Sequence, residues 1–162
     1  MIAANSSPII LLGKQGKLDL LKKCFNKVII PRSVHEEINY NSYSTEAIQL
    51  RKAIKIKWLI VEKIEVSSSL YTENLGQGEK EAISLAEKHK IMLLIDDDSA
   101  KAYALILGVE AHGTFYVLYL ACVKKLISKD EALTILKNMI EHGFFISIEL
   151  YTEFVDLLKS IK

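Results

Sequence analysis

The strongest constraint in this sequence is an alternation. Short runs rich in Ile, Val and Leu are separated by stretches with helical apolar spacing. Residues 28–30, closed by Pro31, and residues 91–95 are the clearest runs, with shorter ones at 2–4, 58–61 and 109–111. A continuous apolar run marks a strand covered on both faces. Strands alternating with helices predict an α/β fold, here a three-layer sandwich with a mostly parallel central sheet flanked by helices. Helix starts are expected after Ser7 with Pro8, at Ser33 with Glu36, at Asp98, and at Ser128 with Glu131, each a capping signature. Gly16 and Gly143 break the pattern, and residues 144–146 read as an edge strand.

The chain has 162 residues and a formal charge of +1, which suits one domain over residues 1–162. A globule of this size buries about 70% of its unfolded surface, enough for one substantial core. The balanced charge excludes a uniformly basic nucleic-acid coat and leaves room for a local basic patch. The longest apolar run, residues 115–123, is too short to cross a bilayer, so no membrane role is expected. No basic leader segment is evident. Cys24 and Cys122 stand alone and read as buried free thiols, which fits a reducing cytoplasm. The four His residues share no metal-binding spacing, and His112 is the one expected near a site.

The acids are unevenly placed. Three of the six Asp residues, Asp96, Asp97 and Asp98, directly follow a buried strand. In parallel sheets, ligands bind outside the carboxyl ends of the strands. Adjacent carboxylates repel each other, and a cation with a taste for oxygen ligands, magnesium or manganese, offsets that repulsion. A polar turn with Asp98 as cap is the simpler reading. On the helix expected from Glu79, each residue turns about 100°, which puts Glu79 on the centreline of the apolar face and Glu81 on the far side. Glu79 is then either a helix-dipole partner or a site ligand. After Pro31, the same geometry places Glu37 at the border of the buried face and Glu36 in solvent. Taken alone, Glu37 reads as a surface acid.

Several fragments in order resemble one family. They are Asn5-Ser6-Ser7-Pro8-Ile9-Ile10, then Ile30-Pro31-Arg32-Ser33-Val34-His35-Glu36-Glu37-Ile38, then Gly76-Gln77-Gly78-Glu79-Lys80-Glu81-Ala82-Ile83. Leu94-Ile95-Asp96-Asp97 follows, with Ala100-Lys101-Ala102-Tyr103-Ala104, Gly108-Val109 and Gly113-Thr114. Together they resemble the PIN-domain superfamily, in a prokaryotic branch related to VapC-like toxin ribonucleases. The resemblance implies a parallel sheet with a metal-binding acid cluster at its carboxyl edge, holding Mg2+ or Mn2+. It implies an endoribonuclease that hydrolyses single-stranded RNA, with a small antitoxin protein and a second copy of the chain as partners.

By position, Glu37 matches the acid after the second strand and Glu79 the acid of the central helix. Asp96 and Asp97 match the acidic pair after the next strand. The implied metal set is Asn5, Glu37, Glu79, Asp96 and Asp97, with Glu37, Glu79 and Asp97 as catalytic acids. Asp98 is an auxiliary acid or a cap. Lys101 matches a common Arg, and Lys14 and Lys101 are candidate contacts to a nucleic-acid backbone or ordinary surface lysines. Ser7 and Thr114 either orient the metal and its waters or serve as N-caps. Asn5 departs from the pattern, because the family places an Asp there. An Asn carbonyl can bind a cation but brings no charge, so one metal position is expected to survive and the second to weaken.

The alternative keeps the fold without the cleavage, as a non-catalytic module that binds RNA or a protein. A receiver-type phosphoacceptor domain would place its acidic pair after the first strand, where this chain has Asn5. A phosphatase with a strand-end Asp nucleophile would suit the Asp96–Asp98 spacing, but the chain order around them does not fit. The aromatic residues Phe115, Tyr116 and Tyr119 read as core or interface in preference to a base-stacking platform.

Overall fold

Odd and even positions of the strands go to different cores. The computed structural model describes residues 1–71 and 74–162. In strand β1 (Ile2–Ala4), Ile2 and Ala4 face one core and Ala3 the other. In β2 (Val28–Pro31), Val28 and Ile30 go one way and Ile29 the other. This period of two is what a pleated strand produces when helices cover both faces. Three shorter or edge-placed strands complete the sheet: β3 (Leu59–Glu62), β4 (Leu93–Leu94) and β5 (Ala111–His112). All pairings are parallel, in the order β3-β2-β1-β4-β5. The result is the expected α/β sandwich.

The larger core lies under α1 (Ser6–Lys14), α2 (Asp19–Phe25), α3 (Arg32–Asn39) and α4 (Thr45–Lys55). The later helices α7 (Thr114–Val123), α8 (Lys129–Glu141) and α9 (Ile148–Ser160) share that core. On the other face, α5 (Gln77–His89) and α6 (Asp98–Ile106) pack on Ala3, Ile29, Leu93 and Ile95. The strand order reverses at β1, so β1 and its neighbours β2 and β4 end together at the carboxyl edge. Asn5 follows β1 directly, and Asp96 lies two residues past the end of β4.

Several expected helix starts are corrected. α1 begins at Ser6 with Asn5 as its cap position, not Ser7. α3 begins at Arg32 and makes no side-chain cap bond, so the Ser33–Glu36 box does not form. Glu36 instead pairs with Arg32 at 2.7 Å, one turn away. Asp97, not Asp98, caps α6, accepting from the Ala100 amide at 2.8 Å. Asp98 is exposed and ion-paired with Lys101 at 3.0 Å. Ser128 caps α8 as expected, but Glu131 turns away to Lys17 at 2.6 Å. Residues 144–146 form no strand; they cross from α8 to α9. No helix among the described residues is long and apolar enough to cross a membrane.

Candidate active site at the carboxyl edge

Asn5 follows β1 at the sheet edge, held there by its amide donating to Leu94 O at 2.9 Å. Its side chain is buried, and Oδ1 has no hydrogen-bond partner. An orphaned buried carbonyl is rare and asks for an explanation such as an ion or water. Asn5 Oδ1 lies beside Gly78, at the border of an open cleft. A Cβ at Gly78 would lie 3.5 Å from Asn5 Oδ1, 3.7 Å from Glu37 Oε2 and 3.3 Å from Val34 Cγ2. Asn5, Glu37 and Glu79 thus line one open cleft of about 420 Å³, with Ser6, Ser33 and Gln77.

The three cleft oxygens are not equivalent. No hydrogen bond or ion pair among the described residues engages the exposed Glu37 carboxylate. Glu79, third residue of α5, reaches back to the Gly76 amide at 2.8 Å, so it serves the helix start while lining the cleft. Glu81 is not in open solvent. It accepts from Ser33 Oγ at 2.6 Å and from Gln77 Nε2 at 2.7 Å, tying α5 to the first turn of α3.

Asp96 sits one strand over. Its Oδ2 accepts from Ser7 Oγ at 2.7 Å and Thr114 Oγ1 at 2.8 Å, and its Oδ1 from the Thr114 amide at 2.7 Å. Ser7 and Thr114 therefore orient this carboxylate and are not N-caps by their side chains. Gly113 leaves the space Asp96 needs, since a Cβ there would fall 2.8 Å from Asp96 Oδ1 and 3.6 Å from Lys101 Nζ. Asp97 is exposed and spent on capping α6. The structure brings Asn5, Glu37 and Glu79 into one cleft and keeps Asp96 and Asp97 in separate arrangements. Among the described residues, no three His, Cys, Asp or Glu side chains gather closely enough to hold a metal by themselves.

His112 stacks on Tyr116 with ring centroids 4.1 Å apart and pairs with Glu110 at 2.8 Å. Phe115, Tyr116 and Tyr119 are half-buried against the larger core, and Phe115 packs on Phe144 and Phe154. All three also border a cavity of about 200 Å³ that Lys101 and His112 share. The sequence reasoning missed Ser33, Glu81 and His142. His142 lines a hollow shared with Ser6, Ser7, Lys14 and Glu37. A helical projection finds the face of Glu81 but not the neighbouring helix that occupies it. Nothing in local spacing signals His142, whose approach depends on how α8 returns over α1.

A parallel sheet covered by helices on both faces, with oxygen-bearing side chains along its carboxyl edge, is a three-layer α/β sandwich. The family described as "DUF3368: PIN domain" matches residues 1–160, and the chain belongs to it. Among solved structures, it resembles a PilT N-terminus domain protein, SSO1118, from the hyperthermophilic archaeon Sulfolobus solfataricus P2. That likeness has 20% identity and a TM-score of 0.50, and it covers 91% of this chain and 100% of the other. No curated protein matches the chain significantly.

PIN domains generally use divalent metal ions. The cleft fits such an ion in the kind of its donors: an unpartnered buried carbonyl at Asn5 and an unengaged carboxylate at Glu37, both hard oxygens, over a glycine that leaves room.

Proposed function

We propose that the protein is a metal-dependent endoribonuclease acting on single-stranded RNA through the edge of β1, β2 and β4. The observation that carries this reading is the buried, unpartnered Asn5 Oδ1, which lies beside Gly78 and near the Glu37 carboxylate. Asn5 and Glu37 would hold one Mg2+ or Mn2+, with Glu79 alongside. When bound, the ion makes water a nucleophile near neutral pH and stabilises charge on the phosphate. Glu37 is the free carboxylate that can accept a proton from water at the cleft. Glu79 holds the Gly76 amide at the start of α5, and the Ser7–Asp96–Thr114 bonds orient the neighbouring carboxylate. Lys101 stands beside Asp96 and offers positive charge to a phosphate at that wall.

The same reading takes the chain as the toxin of a toxin–antitoxin pair in the cytoplasm, working as a homodimer and checked by a small antitoxin. A manganese-dependent cleavage assay on unstructured RNA tests it. Cleavage should vanish with chelator and with Glu37→Gln.

A second reading has its own observation. Asn5 brings no charge, and Asp96 and Asp97 are engaged by protein donors, so the acids are not massed around one ion. That arrangement suits a PIN-fold module that binds RNA or a protein without cutting. Metal-independent RNA binding with no cleavage at any manganese concentration would select it.

A further inference from the structure

Charge is segregated between the two edges of the sheet. The acids of the cleft lie at the carboxyl edge, and half of the opposite edge is basic. Residues 20–35, 47–61 and 111–129 contain no Asp or Glu, and α2, α4 and α7 end within them. A residue in the left-handed region closes each of those helix ends: Asn26, Lys57 and Lys125. Lys27 and Lys57 come just before β2 and β3, at the amino edge, where the Val28 amide donates to Trp58 O at 3.0 Å. Lys124 Nζ donates to Cys24 O at 2.7 Å, which brings the end of α7 against the end of α2. Lys22, Lys27, Lys55, Lys57, Lys124 and Lys125 gather at this edge, and all six are exposed.

None of the six makes an ion pair among the described residues. The flanking acids Asp19 and Glu131 are taken by Lys23 and Lys17, each at 2.6 Å. A cation at a helix C-terminus is ordinary, because the helix dipole favours it. Each such end carries about half a negative charge, so three ends offset about one and a half of the six charges. The edge keeps a net positive charge and selects an anionic partner.

Apolar side chains stand among these lysines. Ile56, between Lys55 and Lys57, is 63% exposed, and Val123 and Leu126, on either side of Lys124 and Lys125, are 44% and 37% exposed. A face for nucleic acid relies on arginine forks and exposed aromatic rings. Here Arg32 and Arg51 are engaged by Glu36, Asn39 and Ser42, Trp58 is buried, and Phe25 packs on the larger core. Lysines interleaved with aliphatic side chains match lipid headgroups over acyl chains. We propose that this amino edge docks on an anionic lipid bilayer, with the lysines over the headgroups and Ile56, Val123 and Leu126 dipping into the interface. An apolar run too short to cross a bilayer has no bearing on lying against one. Docked this way, the chain holds the acid cleft at the edge away from the lipid, open to solvent. Neither metal nor cleavage enters, so this inference stands or falls apart from the ribonuclease reading.

The test is co-sedimentation of the full chain, in chelator, with vesicles of phosphatidylcholine alone and of phosphatidylcholine with about one-quarter phosphatidylserine, an anionic leaflet lipid. The native chain should bind the mixed vesicles, ignore the neutral ones, and come off in high salt, which screens exposed charges. Lys27 and Lys55 have ordinary backbone angles, unlike Lys57 and Lys125, so replacing them spares the turns. Lys27→Ala and Lys55→Ala should each weaken binding about fivefold, and together about 25-fold, the worth of lysines near such a surface. Ile56→Ser changes no charge and should weaken binding about fivefold through lost apolar burial. Circular dichroism confirms that each variant is folded. The proposal is overturned if the chain binds neither kind of vesicle, if it binds both alike, or if the lysine variants bind like the native chain. A face built for nucleic acid would hold a single-stranded RNA oligonucleotide through Lys27 and Lys55 and would be indifferent to Ile56→Ser on vesicles; that result also overturns the bilayer.

Discussion

Ser33 and Glu81 lie 48 residues apart and meet across the cleft: Ser33 Oγ donates to Glu81 Oε2 at 2.6 Å. The Ser33 amide, in the first turn of α3, points at the same oxygen at 3.4 Å. Glu81 thus serves an open helix end from a neighbouring helix, a role Glu36 was expected to fill locally. The pair fixes the separation of α3 and α5, which carry Glu37 and Glu79.

Removing either partner should therefore cost stability at a distance from any metal. Ser33→Ala should lose about 1 kcal/mol in urea denaturation, a typical value for a part-exposed hydrogen bond. Glu81→Ala should lose more, because the Gln77 bond goes with it. The double variant should lose less than the sum of the two, which a double-mutant cycle reads directly.

Asp97 yields a second expectation. Its Oδ1 caps α6 through the Ala100 amide. Asp97→Ala should cost about 1 kcal/mol by thermal melting in chelator, the usual loss of an N-cap. Asp97→Asn keeps an acceptor and should be nearly neutral. If Asp97→Ala were also neutral in chelator, the cap would contribute nothing, and Asp97 would be free to act as a ligand.

The fold was legible because its signals are local. Apolar runs such as residues 28–30 are buried strands, and Pro31 sits at the turn into α3. The participants at the sheet edge were legible too, since Asn5 follows a strand directly and Asp96 comes two residues after one. What each side chain does there was less legible. Ser7 and Thr114 have the residue types of caps, yet their hydroxyls go to Asp96, 89 and 18 residues away in sequence. Glu81 lies on the polar side of α5 by projection, yet α3 passes over that side. Capping signatures describe one helix at a time, and these bonds are made between elements.

Glu62, at the end of β3, offers a pH test away from the cleft. The Lys88 ammonium at 2.9 Å, aided by His89, holds its carboxyl below the usual value against the opposing effect of burial. A carboxyl lowered in the folded state stabilises above its unfolded value, near 4.3, and that contribution is lost as pH falls through the folded value. Melting temperatures from pH 7 down to pH 3 should show native protein above Glu62→Gln at neutral pH, with the gap closing below about pH 4. Because Lys88 is largely exposed, the gap should be small and should shrink in high salt.

Asn5→Asp separates the two readings of the cleft without relying on turnover. Asp at this position gains from the N-terminus of α1, where a negative charge is favoured by about 0.3–1 kcal/mol. Against that, the carboxylate is buried with no donor on Oδ1, and Glu37 lines the same cleft. Burying an unpaired charge costs several kcal/mol, so desolvation outweighs the helix dipole. In chelator, Asn5→Asp should melt below the native protein. Manganese supplies the missing partner, and an ion at about one hundred times its dissociation constant stabilises by about 2.7 kcal/mol. The variant's melting temperature should therefore rise steeply with manganese, while the native protein responds weakly. Cleavage of single-stranded RNA should increase in parallel. A variant that melts low and ignores manganese would show that the cleft beside Gly78 holds no cation, and the binding-module reading would then be the better account.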